Sequence, residues 1–167
     1  MLPAGTNTQM FTVYIGELLN NTTGGVFKTL PLATTTPGTQ YFNLKQIRLR
    51  SAVAVTGPYD APVFYRCLVV RRVGGLLLTD PTWRDKFTSN WLYNPNHDEA
   101  EIYYDSIQVN NRNGVDFEFD LDVNLMYTNF VERDFCVIFT TSWNGNSALR
   151  GCLYYTLRAD VNAVAYS

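Results

Sequence analysis

The most constraining feature of this chain is residues 115–125, which read V-D-F-E-F-D-L-D-V-N-L. Apolar side chains occupy the odd positions, and the even positions hold Asp116, Glu118, Asp120, Asp122 and Asn124. Side chains alternate between the two faces of a β-strand, whereas a helix would scatter these polar residues around its circumference. The pattern therefore predicts a long, half-buried strand in an antiparallel sheet with one dry and one solvated face.

Length and composition indicate one all-β domain, residues 1–167, with a single core. Apolar residues make up 46 % and aromatic residues 14 % of the 167 positions, which suits strands and a packed interior. The formal net charge is −2, so the domain lacks the basic character of a nucleic-acid-binding module. We expect no membrane insertion and no signal peptide.

Eight segments have the composition of strands and are separated by turns rich in Gly, Asn and Pro. They are residues 9–19, 26–32, 41–55, 63–73, 101–109, 115–125, 134–143 and 149–161. In the long connection after the fourth segment, Asp80-Pro81 is typical of a helix start, so one or two helical turns are expected there. Asn113-Gly114 predicts a hairpin turn, because this pair tolerates positive φ.

The three cysteines, Cys67, Cys136 and Cys152, have no short spacing between them. Each lies in an apolar run, where a free cysteine behaves as a small hydrophobic residue. We therefore predict three buried free thiols, as in a protein from a reducing compartment.

No set of residues predicts catalysis or metal binding. His97 is the only histidine, so a multi-histidine metal site cannot be built, and a catalytic triad would have to use this one loop residue. The acidic residues around it are interpreted as a solvated loop rather than a cation site; they are Asp98, Glu99 and Glu101. The sequence thus predicts no cofactor and no enzymatic activity.

The acidic face of residues 115–125 is expected to meet cations on a neighbouring strand. The third segment carries Arg48 and Arg50 on its polar face, between apolar residues that face the core. We predict that these arginines pair with some of four carboxylates; the four are Asp116, Glu118, Asp120 and Asp122.

Four stretches of the chain resemble a viral protein family. They are PGTQYFNLKQIRLRSAV, VFYRCLVVRRVGG, NPNHDEAEIYYDSIQVN and DFCVIFTTSWNGNSALRGCLYYTLRADV. Their strand and loop patterns resemble the single jelly-roll capsid proteins of small icosahedral viruses. The likeness is greatest to circular single-stranded DNA viruses that encode a replication initiator (circovirus-, geminivirus- and nanovirus-like), with plant satellite viruses next. It covers roughly residues 9–161.

The resemblance implies an eight-stranded antiparallel jelly-roll sandwich with a B-I-D-G sheet and a C-H-E-F sheet, lettered in the order of the eight segments. It also implies a coat protein without enzymatic activity, many copies of which assemble into a T=1 icosahedral shell around a nucleic-acid genome. The protein would then belong to the virion and to the host nucleus or cytoplasm during assembly. Nothing in the sequence identifies a host receptor.

In the family, four loops cluster at one end of the sandwich, where subunits meet. Here these loops are short and polar, which would let copies crowd around an axis. The residues expected at such contacts are Asn21, Gly24, Pro58, Tyr59, Asn111, Arg112, Asn144 and Asn146.

Few basic residues are available to bind a genome. Family members usually begin with a basic arm, but the first basic residue of this chain is Lys28. The remaining candidates for phosphate contact are Arg71 and Arg72, and two charges make a weak site. We expect nucleic acid to bind weakly, or through an arm that is not part of this sequence.

The aromatic residues of the long connection have two possible roles. Trp83, Phe87 and Trp91 are expected to pack on the sandwich or on a neighbouring subunit, since free loops rarely carry so many large rings. With Trp143, the tryptophans could instead stack on sugars, as in a carbohydrate-binding or lectin-like module. A secreted trimeric jelly-roll ligand is the other alternative.

Overall fold

The computed structural model describes residues 6–21, 25–30, 41–55, 62–73, 80–110, 114–128, 135–142 and 149–162. The elements follow one another as β1 (Thr6–Asn21), β2 (Gly25–Leu30), β3 (Tyr41–Val55), β4 (Val63–Arg72), α1 (Pro81–Ser89), β5 (Ala100–Asn110), β6 (Val115–Thr128), β7 (Phe135–Thr141) and β8 (Leu149–Asn162).

The strands form two antiparallel sheets, as the alternating pattern predicted. Sheet A has the order β1-β8-β3-β6, and sheet B has the order β2-β7-β4-β5. Side chains are described on three strands of each sheet, namely β8, β3 and β6 in sheet A and β7, β4 and β5 in sheet B. The strands β1 and β2 join the sheets through backbone pairing with β8 and β7.

The core lies between the two sheets, which pack face to face. Residues that face inward alternate with residues that face outward, and β3, β4, β6, β7 and β8 supply the buried core residues, against which Tyr103 and Tyr104 of β5 pack. Sheet A supplies Ile47, Leu49 and Phe117, and sheet B supplies Val69 and Phe139. The period-two pattern in the sequence is the direct cause of this layered arrangement.

The strand that begins at Val115 pairs with β3, and a glycine makes their approach possible. Gly114 has φ +80°, and a Cβ there would collide with the carbonyl oxygen of Val53. Only glycine adopts this conformation readily and leaves room for the neighbouring backbone. The hairpin predicted at Asn113-Gly114 is wrong, because β5 pairs with β4 in sheet B whereas β6 pairs with β3 in sheet A, so the connection crosses between the sheets. The positive φ expected there is present at Gly114, while Asn113 lies outside the described residues.

A second apolar layer covers the outer face of sheet B. The helix α1 begins after Asp80, whose side chain accepts a hydrogen bond from the Thr82 N–H at 2.8 Å, so the predicted N-cap is confirmed. Its nine residues form a longer helix than one or two turns. The reason is that Trp83 and Phe87, four residues apart on one helix face, are both buried against sheet B.

The cysteine prediction is correct at two positions and wrong at one. Cys67 and Cys136 are buried, and burial, with a smaller contribution from Asp105, raises the pKa of the Cys67 thiol well above its usual value. Cys152 is exposed, because its place in the alternation of β8 puts it on the outer face of sheet A. Among the described residues, no helix is long and apolar enough to cross a membrane.

Candidate interaction surfaces

Two of the expected ion pairs form on the outer face of sheet A. Arg48 lies directly opposite Asp120, with Nε 2.8 Å from Oδ1, and Arg50 lies opposite Glu118, with Nη2 2.9 Å from Oε1. The side chains of all four residues remain between 48 % and 64 % exposed, so each pair contributes only about 0.2–1 kcal/mol.

The other two acids of this face lie beside uncharged residues of β3. Asp116 pairs in register with Ala52, and Asp122 pairs with Gln46. Both carboxylates are exposed. The acidic strand is therefore neutralised by β3 in its middle and left uncompensated at its two ends.

The aromatic residues of the long connection pack on the outer face of sheet B. Trp83 and Phe87 are 2 % and 0 % exposed, and they form a small core with Leu68 and Ile138. Trp91 is half-buried, and its ring stacks on Phe64 with centroids 5.9 Å apart. Burial of Trp83 removes it from any surface that could stack on a sugar, while Trp143 lies outside the described residues.

A buried arginine fastens this covering layer, residues 80–99, to sheet B. Arg66 of β4 is 2 % exposed and points toward the layer rather than into solvent. Its Nε and Nη2 donate to Asp105 Oδ1 and Oδ2, both at 2.9 Å, and Nη2 also donates to Asn94 Oδ1 at 2.6 Å. Nη1 donates to the carbonyl oxygens of Trp91 and Tyr93 at 3.2 and 2.8 Å. These contacts satisfy the guanidinium donors, which allows the charge to be buried.

The largely buried carboxylate of Glu99 holds the other side of the covering layer. Glu99 accepts hydrogen bonds from Lys86 Nζ at 2.7 Å, from Tyr93 OH at 2.7 Å and from Trp83 Nε1 at 3.2 Å. Burial alone would raise the pKa of Glu99, but the hydrogen bonds from Lys86 and Tyr93 and the charge of Lys86 lower it below the usual value. The hydrogen bonds that Lys86 makes with Glu99 and Tyr93 raise the pKa of Lys86.

Arg66 and Glu99 are the two hubs of the covering layer, each bonded to several of its residues, and neither was predicted from the sequence. In the alternation of β4, Arg66 falls on the outward face, just as Arg48 does on β3. Only the covering layer turns that outward position into a buried one. Glu99 belonged to the loop that was interpreted as solvated; its side chain is instead only 16 % exposed.

An exposed apolar patch lies at one end of sheet B, next to the covering layer. Its members are Phe64, Leu92, Ile107 and Val109, which are 42 %, 45 %, 47 % and 54 % exposed. Val109 pairs in register with Phe64, and Ile107 is two residues along the same face of β5. Since β5 is the outermost strand of sheet B among the described residues, the patch continues to an edge of the sheet.

The strand ends that flank the predicted assembly loops lie at this same end. Asn21 and Val55 both pair with Leu149 in sheet A, while Val63 pairs with Asn110 in sheet B. Asn21 belongs to β1. The other predicted assembly residues lie outside the described residues; they are Gly24, Pro58, Tyr59, Asn111, Arg112, Asn144 and Asn146.

The predicted phosphate contacts are partly engaged within the chain. Arg71 Nη1 lies 3.7 Å from Glu101 Oε2, and the Arg71 side chain is 29 % exposed. Arg72 is half-buried. His97 is exposed, and in the described part of the chain no group of three or more His, Cys, Asp or Glu residues could hold a metal ion.

Comparison with known proteins does not assign a family. No family model matches the sequence, and a search of the curated proteins finds no significant match.

Proposed function

We propose that this chain is a jelly-roll coat protein, many copies of which assemble into a small closed icosahedral shell around a single-stranded DNA genome. In this role the protein is structural and catalyses no reaction. It would belong to the virion and be assembled in the nucleus or cytoplasm of the host cell.

The order of the strands is the observation that carries this proposal. Lettered along the chain from B to I, sheet A reads B-I-D-G and sheet B reads C-H-E-F. This is the pairing implied by the resemblance to viral coat proteins, and it requires repeated crossing between the sheets rather than simple hairpins. A sandwich built from consecutive hairpins would have argued against the family.

The position of the apolar patch supports self-assembly. Stable contacts between subunits need apolar surface, and an isolated patch of this kind on a soluble chain marks an interaction site. Phe64 and Val109 lie at the start of β4 and near the end of β5, next to the loops expected between copies. The patch and these loops together give one end of the sandwich the character of a subunit contact.

The basic residues support only weak genome binding. Arg48 and Arg50 are paired with acids of β6, and Arg71 is close to Glu101. Binding to phosphates weakens steeply with salt in proportion to the number of cations involved. We therefore expect empty shells, or shells that hold single-stranded DNA feebly at physiological salt, until a basic N-terminal arm is added.

Electron microscopy and sedimentation of the purified protein test the assembly. The expected result is particles of megadalton mass. Ile107→Lys combined with Val109→Lys should abolish particles while leaving a folded subunit, since both residues are exposed. Ile102→Lys is the matched control, because Ile102 is 41 % exposed on the same strand but pairs with Val70 at the far end of sheet B. A protein that never forms particles contradicts the proposal.

A second experiment tests the end of the sandwich directly. Insertion of a bulky peptide after Asn111 should prevent shell formation and preserve folding. Normal particles from this variant would place the subunit contacts elsewhere. Tight, salt-resistant binding of single-stranded DNA by residues 1–167 alone would contradict the expected weak genome binding.

A further inference from the structure

The outer face of sheet A carries charged side chains that have no ion-pair partner among the described residues. On β8, Arg150 and Arg158 are exposed and form no ion pair in the part of the chain that the structure describes. On β6, Asp116 and Asp122 are exposed and equally unpaired within that part. Among the described side chains of this face, β8 therefore carries two cations without an ion pair and β6 two such anions, while Lys45 of β3 donates to Asn124 Oδ1 of β6 at 3.2 Å.

The strand register places these charges in matching rows. Arg158 and Asp122 both pair with Gln46, from opposite sides of β3. Arg150 pairs with Ala54, one row beyond Ala52, which is the partner of Asp116. Each arginine is thus separated from its acid by two strand spacings, about 10 Å, and because side chains stand roughly perpendicular to the sheet, the two extend side by side from one chain rather than toward each other.

We propose that the outer face of sheet A binds the same face of a second copy about a two-fold axis parallel to β3. Rotation about that axis lays β8 of one copy over β6 of its partner, with rows kept in place. Arg158 then faces Asp122 of the partner subunit, and Arg150 lies within one row of Asp116 of the partner subunit. The symmetry repeats both contacts, so each of these eight charges in the two copies lies opposite, or within one row of, a charge of the other sign.

The remaining side chains of the face are compatible with such a contact. The ion pairs at 2.8 and 2.9 Å draw Arg48 and Arg50 toward β6, so the two β3 strands meet through neutralised groups. Ala52 and Ala54 are small and leave room for the arginines of β8. Two sheets packed face to face lie about 10 Å apart, a gap that arginine and aspartate side chains can bridge.

The proposal commits to a second copy because the charge pattern is self-complementary. A polyanion would meet the acids of β6 as well as the arginines, and a cationic partner would meet the arginines of β8. Only a surface with cations over β6 and anions over β8 matches the whole face, and the rotated face of the same chain supplies that pattern. The inference concerns a different surface from the proposed shell contact and stands without it.

Two charge-reversed variants test this contact through complementation. Arg150→Glu with Arg158→Glu makes all four of these unpaired positions acidic, and Asp116→Arg with Asp122→Arg makes all four of them basic. Each alone should dimerise at least about tenfold more weakly than the wild type, since every free-charge contact becomes repulsive. Mixed together they should form a heterodimer, because every contact is again between opposite charges.

Analytical ultracentrifugation at low salt, with one variant carrying a fluorescent label, measures both results. Asp85→Arg with Asp98→Arg is the matched control: it makes the same change of net charge at exposed positions of the covering layer, and it should neither lose self-association nor bind the acidic variant. Rising salt should dissociate the wild-type dimer.

A cross-link reads the orientation independently. Cys152 and Asp116 share a row through Ala52, so the two-fold axis puts Cys152 over Asp116 of the partner subunit. Asp116→Cys should therefore give dimers with a short bis-maleimide, whereas Asp85→Cys should not.

A monomeric wild type, or charge-reversed variants that do not associate on mixing, overturns the inference. So does a finding that Arg150→Glu with Arg158→Glu loses only single-stranded DNA binding. Absence of particles with the dimer intact contradicts the shell alone, and particles that ignore the charge reversals contradict this inference alone.

Discussion

Arg66 and Asp105 form a two-pronged ion pair, with Nε and Nη2 of the guanidinium each 2.9 Å from one oxygen of the carboxylate. The arginine side chain is 2 % exposed and the aspartate side chain 36 % exposed. The pair thus joins a buried cation to an anion that still reaches water. Loss of the contact would therefore cost more at the arginine, whose charge would be left buried without a partner.

Replacement of Arg66 by methionine should destabilise the protein by about 2–4 kcal/mol, because the Tyr93 carbonyl oxygen loses the Arg66 donor and Asp105 loses its counterion, while the Trp91 carbonyl oxygen still accepts from Thr140 Oγ1. The loss is below that of a wholly buried pair, since water can reach Asp105. Urea unfolding measures the change. Arg48→Met is the control and should cost less than about 1 kcal/mol, because Arg48 is half exposed. Equal losses of stability for the two variants would contradict the role of Arg66 in holding the covering layer on sheet B.

Trp83→Ala should cost roughly 3–5 kcal/mol, because the ring is fully buried between α1 and sheet B and its removal leaves a cavity. Trp91→Ala should cost about half as much or less, since Trp91 is only half-buried. Denaturant unfolding followed by circular dichroism compares the two. A larger loss for Trp91 than for Trp83 would mean that the layer is anchored at its other end.

Glu99→Gln should remove a stabilisation that depends on pH. The pKa of Glu99 is lowered in the folded chain, so on acidification the unfolded chain takes up a proton first. The stabilisation is complete above the unfolded pKa of about 4.3 and is lost as the pH falls through the lowered folded pKa. The stability difference between wild type and Glu99→Gln, measured by urea unfolding, should therefore be largest near neutral pH and shrink below about pH 4. Asp98→Asn, on the same exposed turn, should leave stability unchanged.

Tyr155→Phe should leave stability unchanged or raise it by about 1 kcal/mol, because the buried Tyr155 hydroxyl has no hydrogen-bond partner in the described part of the chain. Burial raises the pKa of Tyr155 to about 12. The unfolded chain, with a pKa near 10, loses its proton first as the pH rises, so wild-type stability should decline between about pH 10 and 12, and Tyr155→Phe should reduce that decline.

Tyr65→Phe is the matched control for this variant, since the Tyr65 hydroxyl accepts a hydrogen bond from the Val55 N–H at 3.1 Å. It should lose about 1–3 kcal/mol, the cost of an unsatisfied buried donor. Thermal and urea unfolding of both variants give the comparison, and a greater loss for Tyr155→Phe would indicate an unseen partner of its hydroxyl.

A double-mutant cycle on Arg48 and Asp120 should give a coupling of about 0.2–1 kcal/mol that declines with added salt, because both side chains are half exposed. Urea unfolding of the single and double alanine variants at low protein concentration supplies the numbers. A coupling that salt does not change would mean that the pair is shielded from solvent.

The sequence predicted those features that depend on local alternation. The pairing of Arg48 with Asp120 followed from two amphipathic strands that share a core, and Asp80 was recognisable as an N-cap from its own neighbours. The features that depend on a third layer were not predictable in this way. Arg66 and Arg48 occupy the same phase of their strands, and only the covering layer makes one buried and the other exposed. Cys152 shows the converse, since strict alternation along β8 would have placed it outside.

The two hubs of the covering layer have a consequence for its dynamics. Arg66 holds the segment around Trp91 and Tyr93, while Glu99 binds Trp83 and Lys86 of α1, and Tyr93 contacts both hubs. Because the two are connected through one residue, the layer should open as a single cooperative unit rather than fray from either end. Amide hydrogens of α1 and of the segment after it should then exchange with solvent at one common rate, and loss of either hub should accelerate exchange across the whole layer.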